Sequence, residues 1–202
     1  MLRGMILSLV HTTGGAGTTT SSVFPACAAA AHGREVVLLD ADPQGSASSW
    51  ADRAAHRGTP LPFPVVPVGA TDLAAAAARG AAGLVVVDTP PGTAAVIDAA
   101  IDAADLVLIP SGAAPADIDR VWPTLDMTTH RPTAILLTGV DLRTALATGV
   151  PEHLVGEGAP VLRTVIRRRQ AITEAFGTLP TRLWDYADVY AELVAAVQEA
   201  RT

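Results

Sequence analysis

The chain contains no lysine: all 14 of the cationic residues among its 202 are arginines. Compositional bias of a GC-rich genome is one explanation, and selection against lysine modification is another. The formal net charge is −6, which argues against a uniformly basic nucleic-acid-binding protein but not against a local basic patch. Any site that usually relies on lysine must therefore be built differently here.

Cysteine, aromatic residues and long hydrophobic runs are also scarce. A single cysteine, Cys27, excludes an internal disulfide and a thiolate metal site within one chain. Aromatics make up 4% of the chain although half of it is hydrophobic, and the abundant alanine indicates helices packed closely on a sheet. No apolar run reaches the ~18 residues of a membrane span, and the N-terminus lacks a signal-peptide cleavage site. We expect a cytoplasmic protein with no membrane partner.

Seven short apolar runs alternate with helical segments along the chain. The runs lie at 5–10, 35–39, 64–68, 83–88, 105–110, 133–138 and 161–166. Because their apolar residues do not alternate with polar ones, each is typical of a strand buried on both faces. Such strands separated by helices predict an α/β fold with a doubly wound, mostly parallel sheet flanked by helices. The length fits one domain spanning residues 1–202.

Two further segments fit this sheet. The proline-rich residues 59–68 are interpreted as a surface connection that enters an edge strand. Residues 186–199 carry an apolar stripe at helical spacing, which predicts a closing helix docked on the sheet.

A glycine-rich loop follows the first run. Its sequence, His11 to Thr20, reads HTTGGAGTTT and precedes a helical segment. Three glycines in four residues allow backbone N–H groups to turn inward, and the following helix adds its positive end, so the loop can hold an anion. A tight glycine turn with no ligand is the alternative.

Two acidic loops follow the second and fourth runs. Asp40 and Asp42 stand in the sequence DADPQG, where they suit a metal and its water, or alternatively an Asp-Pro turn with a helix cap. Asp88 ends the run LVVVD and precedes a Thr-Pro-Pro turn. A carboxylate at the end of a buried strand needs a charged partner, and hydrated magnesium is a natural one. In parallel sheets such loops meet at one edge.

Together, in this order and spacing, the three loops resemble those of the deviant Walker ATPases of the ParA/MinD family. The resemblance covers nearly the whole chain and is strongest to the small ParA-type plasmid partition ATPases. The family pattern Lys-Gly-Gly-x-Gly-Lys-Thr falls on Thr13 to Thr19, and Asp-x-Asp-Pro-Gln-Gly falls on Asp40 to Gly45. The segment 161–176 is similar to the region after the last core strand of those proteins. The resemblance implies a P-loop fold that binds ATP or ADP with Mg²⁺.

The resemblance also implies roles for individual residues. The nucleotide would contact Gly14, Gly15, Ala16, Gly17, Thr18, Thr19, Thr20, Gln44 of the first switch loop, and Thr138 near the adenine. Thr19 would offer its hydroxyl to magnesium, with Asp40 and Asp88 holding the ion through waters. Asp42 would orient or deprotonate the attacking water.

Both lysines of the family motif are replaced, by Thr13 and Thr18. In the family, the first lysine reaches across a dimer to the partner's nucleotide, and the second holds the β and γ phosphates. A net loss of about 2 to 3 kcal/mol would weaken ATP binding by about thirty- to two-hundredfold. Hydrolysis should suffer more than binding, because the transferred phosphate also loses charge stabilisation. An arginine from a distant loop could compensate.

Two other features bear on function. Pro25 lies within the helix after the glycine loop, where it removes a hydrogen bond and should kink the helix or end its first segment. Four arginines concentrate in seven residues of an otherwise acidic chain, and the family binds DNA without sequence preference. The candidate DNA-binding residues are Arg163, Arg167, Arg168 and Arg169; a solvated arginine turn is the alternative.

Three functions remain open at this point. The leading one is a ParA-like partition or positioning ATPase that forms a homodimer over nucleotide, binds DNA non-specifically and answers to a ParB-like or other adaptor protein. The rival is a pseudo-ATPase that serves as a regulatory or scaffold subunit. A metabolic enzyme such as a carboxylase or amidotransferase-like synthetase is disfavoured, because the short chain shows no second catalytic constellation.

Overall fold

The structure is a computed structural model that describes residues 4–11, 17–80 and 82–200. Its strands are β1 (Met5–Leu9), β2 (Val36–Asp40), β3 (Val65–Pro67), β4 (Leu84–Asp88), β5 (Leu106–Ser111) and β6 (Thr133–Leu137). Its helices are α1 (Thr18–Ala31), α2 (Ser46–His56), α3 (Ala70–Gly80), α4 (Ala94–Ala103), α5 (Pro115–Asp119), α6 (Val121–Met127), α7 (Leu146–Gly156), α8 (Gln170–Glu174) and α9 (Tyr186–Ala200).

The six strands form one parallel sheet in the order β3-β2-β4-β1-β5-β6. The doubly wound α/β fold predicted from the sequence is therefore confirmed, and the first six apolar runs coincide with its strands. The short, proline-containing β3 lies at an edge, as the segment 59–68 predicted. All carboxyl ends lie along one edge, so the loops after β1, β2 and β4 are neighbours.

The unalternated runs arise because both faces of the sheet are covered. In β4, Leu84 and Val86 join a core formed with α1, α2 and α9, whereas Val85 and Val87 join a core formed with α3 and α4. A third apolar cluster connects β5 and β6 with α4, α5, α6 and α7. Every side chain of β4 is buried.

The seventh run, at 161–166, is not a strand, so that prediction is wrong. It runs beside β6 with an isolated bridge from Val161 to Ile135: the Leu162 N–H donates to the Ile135 carbonyl, and the Ile166 N–H donates to the Leu137 carbonyl at 2.8 Å. Between them, the N–H groups of Arg163 and Thr164 donate to the Glu192 carboxylate at 2.7 and 3.0 Å. Of these two N–H groups, that of Thr164 has the spacing to continue the pairing with β6, so its bond to Glu192 of α9 interrupts the ladder between Leu162 and Ile166.

Pro25 does not end α1, which is continuous from Thr18 to Ala31. The closing helix was expected to dock on the sheet, and its apolar stripe is buried as predicted. It also packs directly against α1, where the rings of Tyr186 and Phe24 stack at 4.8 Å between centroids. Within residues 4–11, 17–80 and 82–200, no helix is long and apolar enough to cross a membrane.

Candidate functional site

The start of α1 lies at the carboxyl edge of the sheet. Gly17 precedes the helix with φ 80°, a left-handed conformation that glycine adopts without strain, and the Ser21 N–H donates to its carbonyl at 2.8 Å. The first turn holds the half-buried Thr18, Thr19 and Thr20 and contains no acidic residue. The helix thus presents its positive end without a carboxylate from its own first turn. The predicted contacts Gly14, Gly15 and Ala16, and Thr13, lie outside the described residues.

Asp88 ends β4 beside this helix start and is 1% exposed. Its Oδ1 accepts a hydrogen bond of 2.9 Å from the Ser22 hydroxyl of α1. Its Oδ2 is buried and accepts none within the described part of the chain. Burial raises the pKa of Asp88 to about 7; hydrogen bonds from Thr19 and Ser22 oppose this rise, while the charges of Asp40 and Asp42 add to it. The site therefore contains a carboxylate whose ionised form is under-stabilised.

Asp40 ends β2 directly opposite Asp88 in the parallel register. It is 2% exposed, but its oxygens are well supplied with donors. Its Oδ2 accepts from the N–H and the hydroxyl of Ser48 at 2.8 and 2.6 Å, and its Oδ1 accepts from the Asp42 N–H at 3.3 Å. Since Ser48 lies in the first turn of α2, Asp40 also caps that helix. The sequence offered a metal ligand or a helix cap, and the cap is present in this structure.

Asp42 and Gln44 form the turn between β2 and α2. The Gln44 N–H donates to Asp42 Oδ1 at 2.8 Å. Asp42 is half-buried and Gln44 is exposed. The charge of Asp42 acts on the pKa of Asp88, so the two carboxyl groups share one electrostatic environment. Asp42 thus lies at the rim of the site, in contact with solvent.

A divalent cation fits these residues. Asp88 offers a buried oxygen that has no donor among the described residues, and Thr19 adds a hydroxyl beside it. Among the described residues, no three His, Cys, Asp or Glu side chains converge closely enough to hold a metal by themselves. Magnesium usually binds through one or two carboxylates together with waters and substrate phosphates. A cation here would thus need ligands from a bound molecule as well as from the chain.

A cavity of about 440 Å³ adjoins the helix start. Gly17 and Thr20 line it on one side, and Thr138, at the end of β6, lines it on another. Its remaining wall comes from the segment after residue 165, from α8 and from α9: Ile166, Arg167, Arg168, Arg169, Ile172, Thr173, Phe176 and Tyr186. Thr138 and Arg168 also line a neighbouring cavity of about 370 Å³. Three of the four arginines interpreted as a DNA surface thus face a cavity beside α1.

Carboxylates of α9 and the residue before it neutralise much of the arginine cluster. Asp185 is 4% exposed and accepts hydrogen bonds from the Arg167 backbone N–H at 3.0 Å and from the Arg167 guanidinium. Arg169 Nε lies 3.8 Å from the same carboxylate, and Arg163 Nε lies 3.7 Å from Glu192. Burial would raise the pKa of Asp185, but the hydrogen bonds and charge of Arg167 lower it below the ordinary value.

Arg168 differs from its neighbours. Its Nε donates to the Gly139 carbonyl at 3.4 Å, and it is exposed. No carboxylate of the described chain lies within ion-pair distance of its guanidinium. Of the three arginines on the larger cavity it is the one without an ion pair in the described residues, although the charges of Arg168 and Asp141 interact.

Sequence patterns did not reveal Ser22, Ser48, Asp185 or Glu192. Ser48 could have been found, because a serine in the first turn of a helix after an acidic strand end is a typical capping arrangement. The contact of Ser22 with Asp88 joins residues 66 positions apart, and the contacts of Asp185 and Glu192 depend on how α9 packs. No local pattern records such pairings.

The chain matches the family model described as the CobQ/CobB/MinD/ParA nucleotide binding domain over residues 7–179. It is 39% identical to the maintenance of carboxysome distribution protein A of Gloeobacter kilaueensis, over 85% of this chain and 75% of that protein. It is 33% identical to the chromosome-partitioning ATPase Soj of Thermus thermophilus, over 99% of this chain and 100% of that one.

A solved structure shows the same fold. Cobyrinic acid a,c-diamide synthase of Mycobacterium smegmatis, crystallised with ADP and magnesium, superposes with a TM-score of 0.77 at 19% identity, over 100% of this chain and 97% of that one. At this identity the likeness concerns the fold alone. The family model and the two relatives agree with the sheet order and with the helix start at its carboxyl edge. The chain therefore belongs to the ParA/MinD family of nucleotide-binding domains.

Proposed function

We propose that this chain is a ParA-like partition or positioning ATPase. In this proposal it binds ATP or ADP with Mg²⁺, dimerises when nucleotide-bound, and acts in the segregation of a plasmid, chromosome or other cargo. The observation that carries the proposal is the placement of Thr19, Asp40, Asp42 and Asp88 around the start of α1, where Asp88 Oδ2 has no donor among the described residues. Relatives named for carboxysome distribution and chromosome partitioning support the positioning role.

The residues take the following roles. The backbone of Gly14, Gly15, Ala16 and Gly17 and the first turn of α1, with Thr18 and Thr20, receive the phosphates. Thr138 lies on the cavity wall where the base would be held, and Gln44 lies in the turn beside Asp42. Thr19, Asp40 and Asp88 hold magnesium, which supplies charge neutralisation to the phosphates when bound. Asp42 orients a water and accepts its proton, because it is the carboxylate of the three that reaches solvent.

Arg168 compensates in part for the missing lysines. It lines the cavity that begins at Gly17 and makes no ion pair in the described chain; the nearby Asp141, whose pKa its charge lowers, is itself paired with Arg143. Arg167 and Arg169 share the Asp185 carboxylate, so they contribute less net charge. A guanidinium is a planar fork rather than the point charge of a lysine ammonium, so the match to phosphate geometry differs. Binding should therefore survive better than turnover.

The proposed protein also binds DNA, works with an adaptor protein and has a defined place in the cell. Arg163 and Arg168 are exposed and could neutralise DNA phosphates together with Arg167 and Arg169, although Asp185 and Glu192 reduce the net charge of the cluster. A ParB-like or other adaptor protein would connect the dimer to its cargo. We place the protein in the cytoplasm, on the nucleoid when it is bound to DNA.

A pseudo-ATPase is the second candidate, and a specific observation favours it: threonine occupies both lysine positions of the motif. Such a protein would bind nucleotide weakly or not at all and act as a regulatory or scaffold subunit. Phosphate release from ATP separates the two candidates. We expect slow, Mg²⁺-dependent release by the native protein and none by Asp42→Ala, with ATP affinity retained in that variant. No release by the native protein would favour the pseudo-ATPase.

A further inference from the structure

Ser22 lies on α1, one turn after Thr18, and its side chain is fully buried. Its hydroxyl is 2.9 Å from Asp88 Oδ1 and 3.1 Å from the Thr18 carbonyl. A hydroxyl has one hydrogen to donate, and an ionised carboxylate is the stronger acceptor of the two. Ser22 therefore donates to Asp88 whenever Asp88 carries its charge.

The hydrogen bond from Ser22 engages Oδ1 of Asp88 and leaves Oδ2 available to another partner. With Oδ1 held by Ser22, the carboxyl group cannot rotate freely about its bond to Cβ. Oδ2 is then the buried atom that accepts no hydrogen bond in the described part of the chain. A cation, or a water bound to a cation, is the kind of partner that such an atom requires.

We propose that Ser22 is a positioning residue for the divalent cation: it fixes the Asp88 carboxylate so that Oδ2 receives the ion or its water. The inference rests on the proposed function, since it assumes that Mg²⁺–nucleotide binds at Asp88. It goes further by assigning a metal-supporting role to a residue that contacts neither nucleotide nor metal. Groups that orient a metal ligand typically change metal affinity by about 10- to 100-fold when removed.

Ser21 provides a matched control. It is the preceding residue of the same helix, is equally buried, and bonds the Tyr186 hydroxyl at 3.0 Å instead of Asp88. Ser21→Ala and Ser22→Ala therefore remove the same group from adjacent buried positions. Only the second removes a donor from the carboxylate.

The experiment measures Mn²⁺ affinity by electron paramagnetic resonance in the presence of ADP, and ADP affinity by calorimetry with the metal chelated. We expect Ser22→Ala to weaken Mn²⁺ binding by about 10-fold or more and to leave metal-free ADP affinity within about twofold. Ser21→Ala should leave both constants near those of the native protein. Should Ser22→Ala not fold, Ser22→Cys, whose slightly larger side chain carries a weaker donor, should show an intermediate loss of Mn²⁺ affinity.

Two results would overturn the inference in different ways. Equal Mn²⁺ affinity in the native protein, Ser22→Ala and Ser21→Ala would refute the role of Ser22 alone. Absence of any metal-dependent ADP binding by the native protein would refute the proposed function, and the inference with it.

Discussion

Asp40 and Asp88 are register partners at the carboxyl ends of β2 and β4, yet their carboxylates have different surroundings. Asp40 accepts two hydrogen bonds from Ser48 at the start of α2, whereas Asp88 is hydrogen-bonded by Ser22 and Thr19 of α1 and its Oδ2 has no donor among the described residues. The acidic edge of the sheet thus contains one carboxylate that is held by a helix start and one whose charged form is disfavoured by burial.

Asp88 should make the stability of the ligand-free protein depend on pH. Its pKa is raised from 3.8 to about 7 in the folded chain, so the folded state binds the proton more tightly than the unfolded state. Stability should fall as pH rises from about 4 to about 7 and be flat above, by on the order of 4 kcal/mol from this group. Chemical denaturation at pH 5, 6, 7 and 8 measures this, and Asp88→Asn should flatten the profile. An equally steep loss in the variant would contradict the assignment.

Mg²⁺ with ADP should stabilise the native protein more at pH 8 than at pH 5. At pH 5 a proton competes for the carboxylate that the cation requires. The melting temperature, measured at both pH values with ADP in the presence and absence of Mg²⁺, tests this expectation. In Asp88→Asn the addition of Mg²⁺ should not change the melting temperature at either pH.

The hydroxyl of Ser48 should stabilise the fold through Asp40. Ser48→Ala removes a 2.6 Å charge-assisted hydrogen bond and leaves the backbone N–H bond in place. We expect a loss of about 1 to 2 kcal/mol in unfolding free energy. Ser49→Ala is the matched control, since the Ser49 hydroxyl only accepts a 3.3 Å bond from exposed Arg53. Similar effects of the two variants would show that the Asp40 cap is unimportant.

These pairings mark the limit of what the sequence could tell. The apolar runs predicted six strands, because burial on both faces is a local property of each segment. The parallel order then implied that the loops containing Asp40 and Asp88 would meet. Ser22 was not predicted, because its contact with Asp88 depends on the rotation of α1 against β4. The run at 161–166 was misassigned because its pairing with β6 is interrupted where the Thr164 N–H donates to Glu192, far along the chain.

Arg168 should contribute to nucleotide affinity through its charge. We expect Arg168→Gln to weaken ADP binding by about 10-fold, corresponding to about 1.4 kcal/mol, and adenosine binding much less, because only ADP carries phosphates. Arg163→Gln is the control, since Arg163 belongs to the same cluster but does not line the cavity. Equal losses for ADP and adenosine would assign Arg168 to the base instead, and no loss would remove it from the site.

Arg163 should instead affect DNA binding. Its side chain is 95% exposed, so it can reach a DNA phosphate without disturbing the cavity. With ATP present, Arg163→Gln should reduce the magnitude of the slope of log DNA affinity against log salt concentration by about one, and it should leave ADP affinity unchanged. Titration of labelled duplex DNA at several salt concentrations measures the slope. An unchanged slope would show that Arg163 does not contact DNA and belongs to a solvent-exposed arginine turn.

The central claim is that the site binds Mg²⁺–nucleotide although the chain has no lysine. Calorimetric titration with ATP and with ADP, each with and without Mg²⁺, tests it most directly when the native protein is compared with Thr18→Lys. We predict micromolar, Mg²⁺-dependent binding by the native protein and tighter binding by Thr18→Lys. Binding by Thr18→Lys alone, with none by the native protein, would contradict the claim and identify the chain as a pseudo-ATPase.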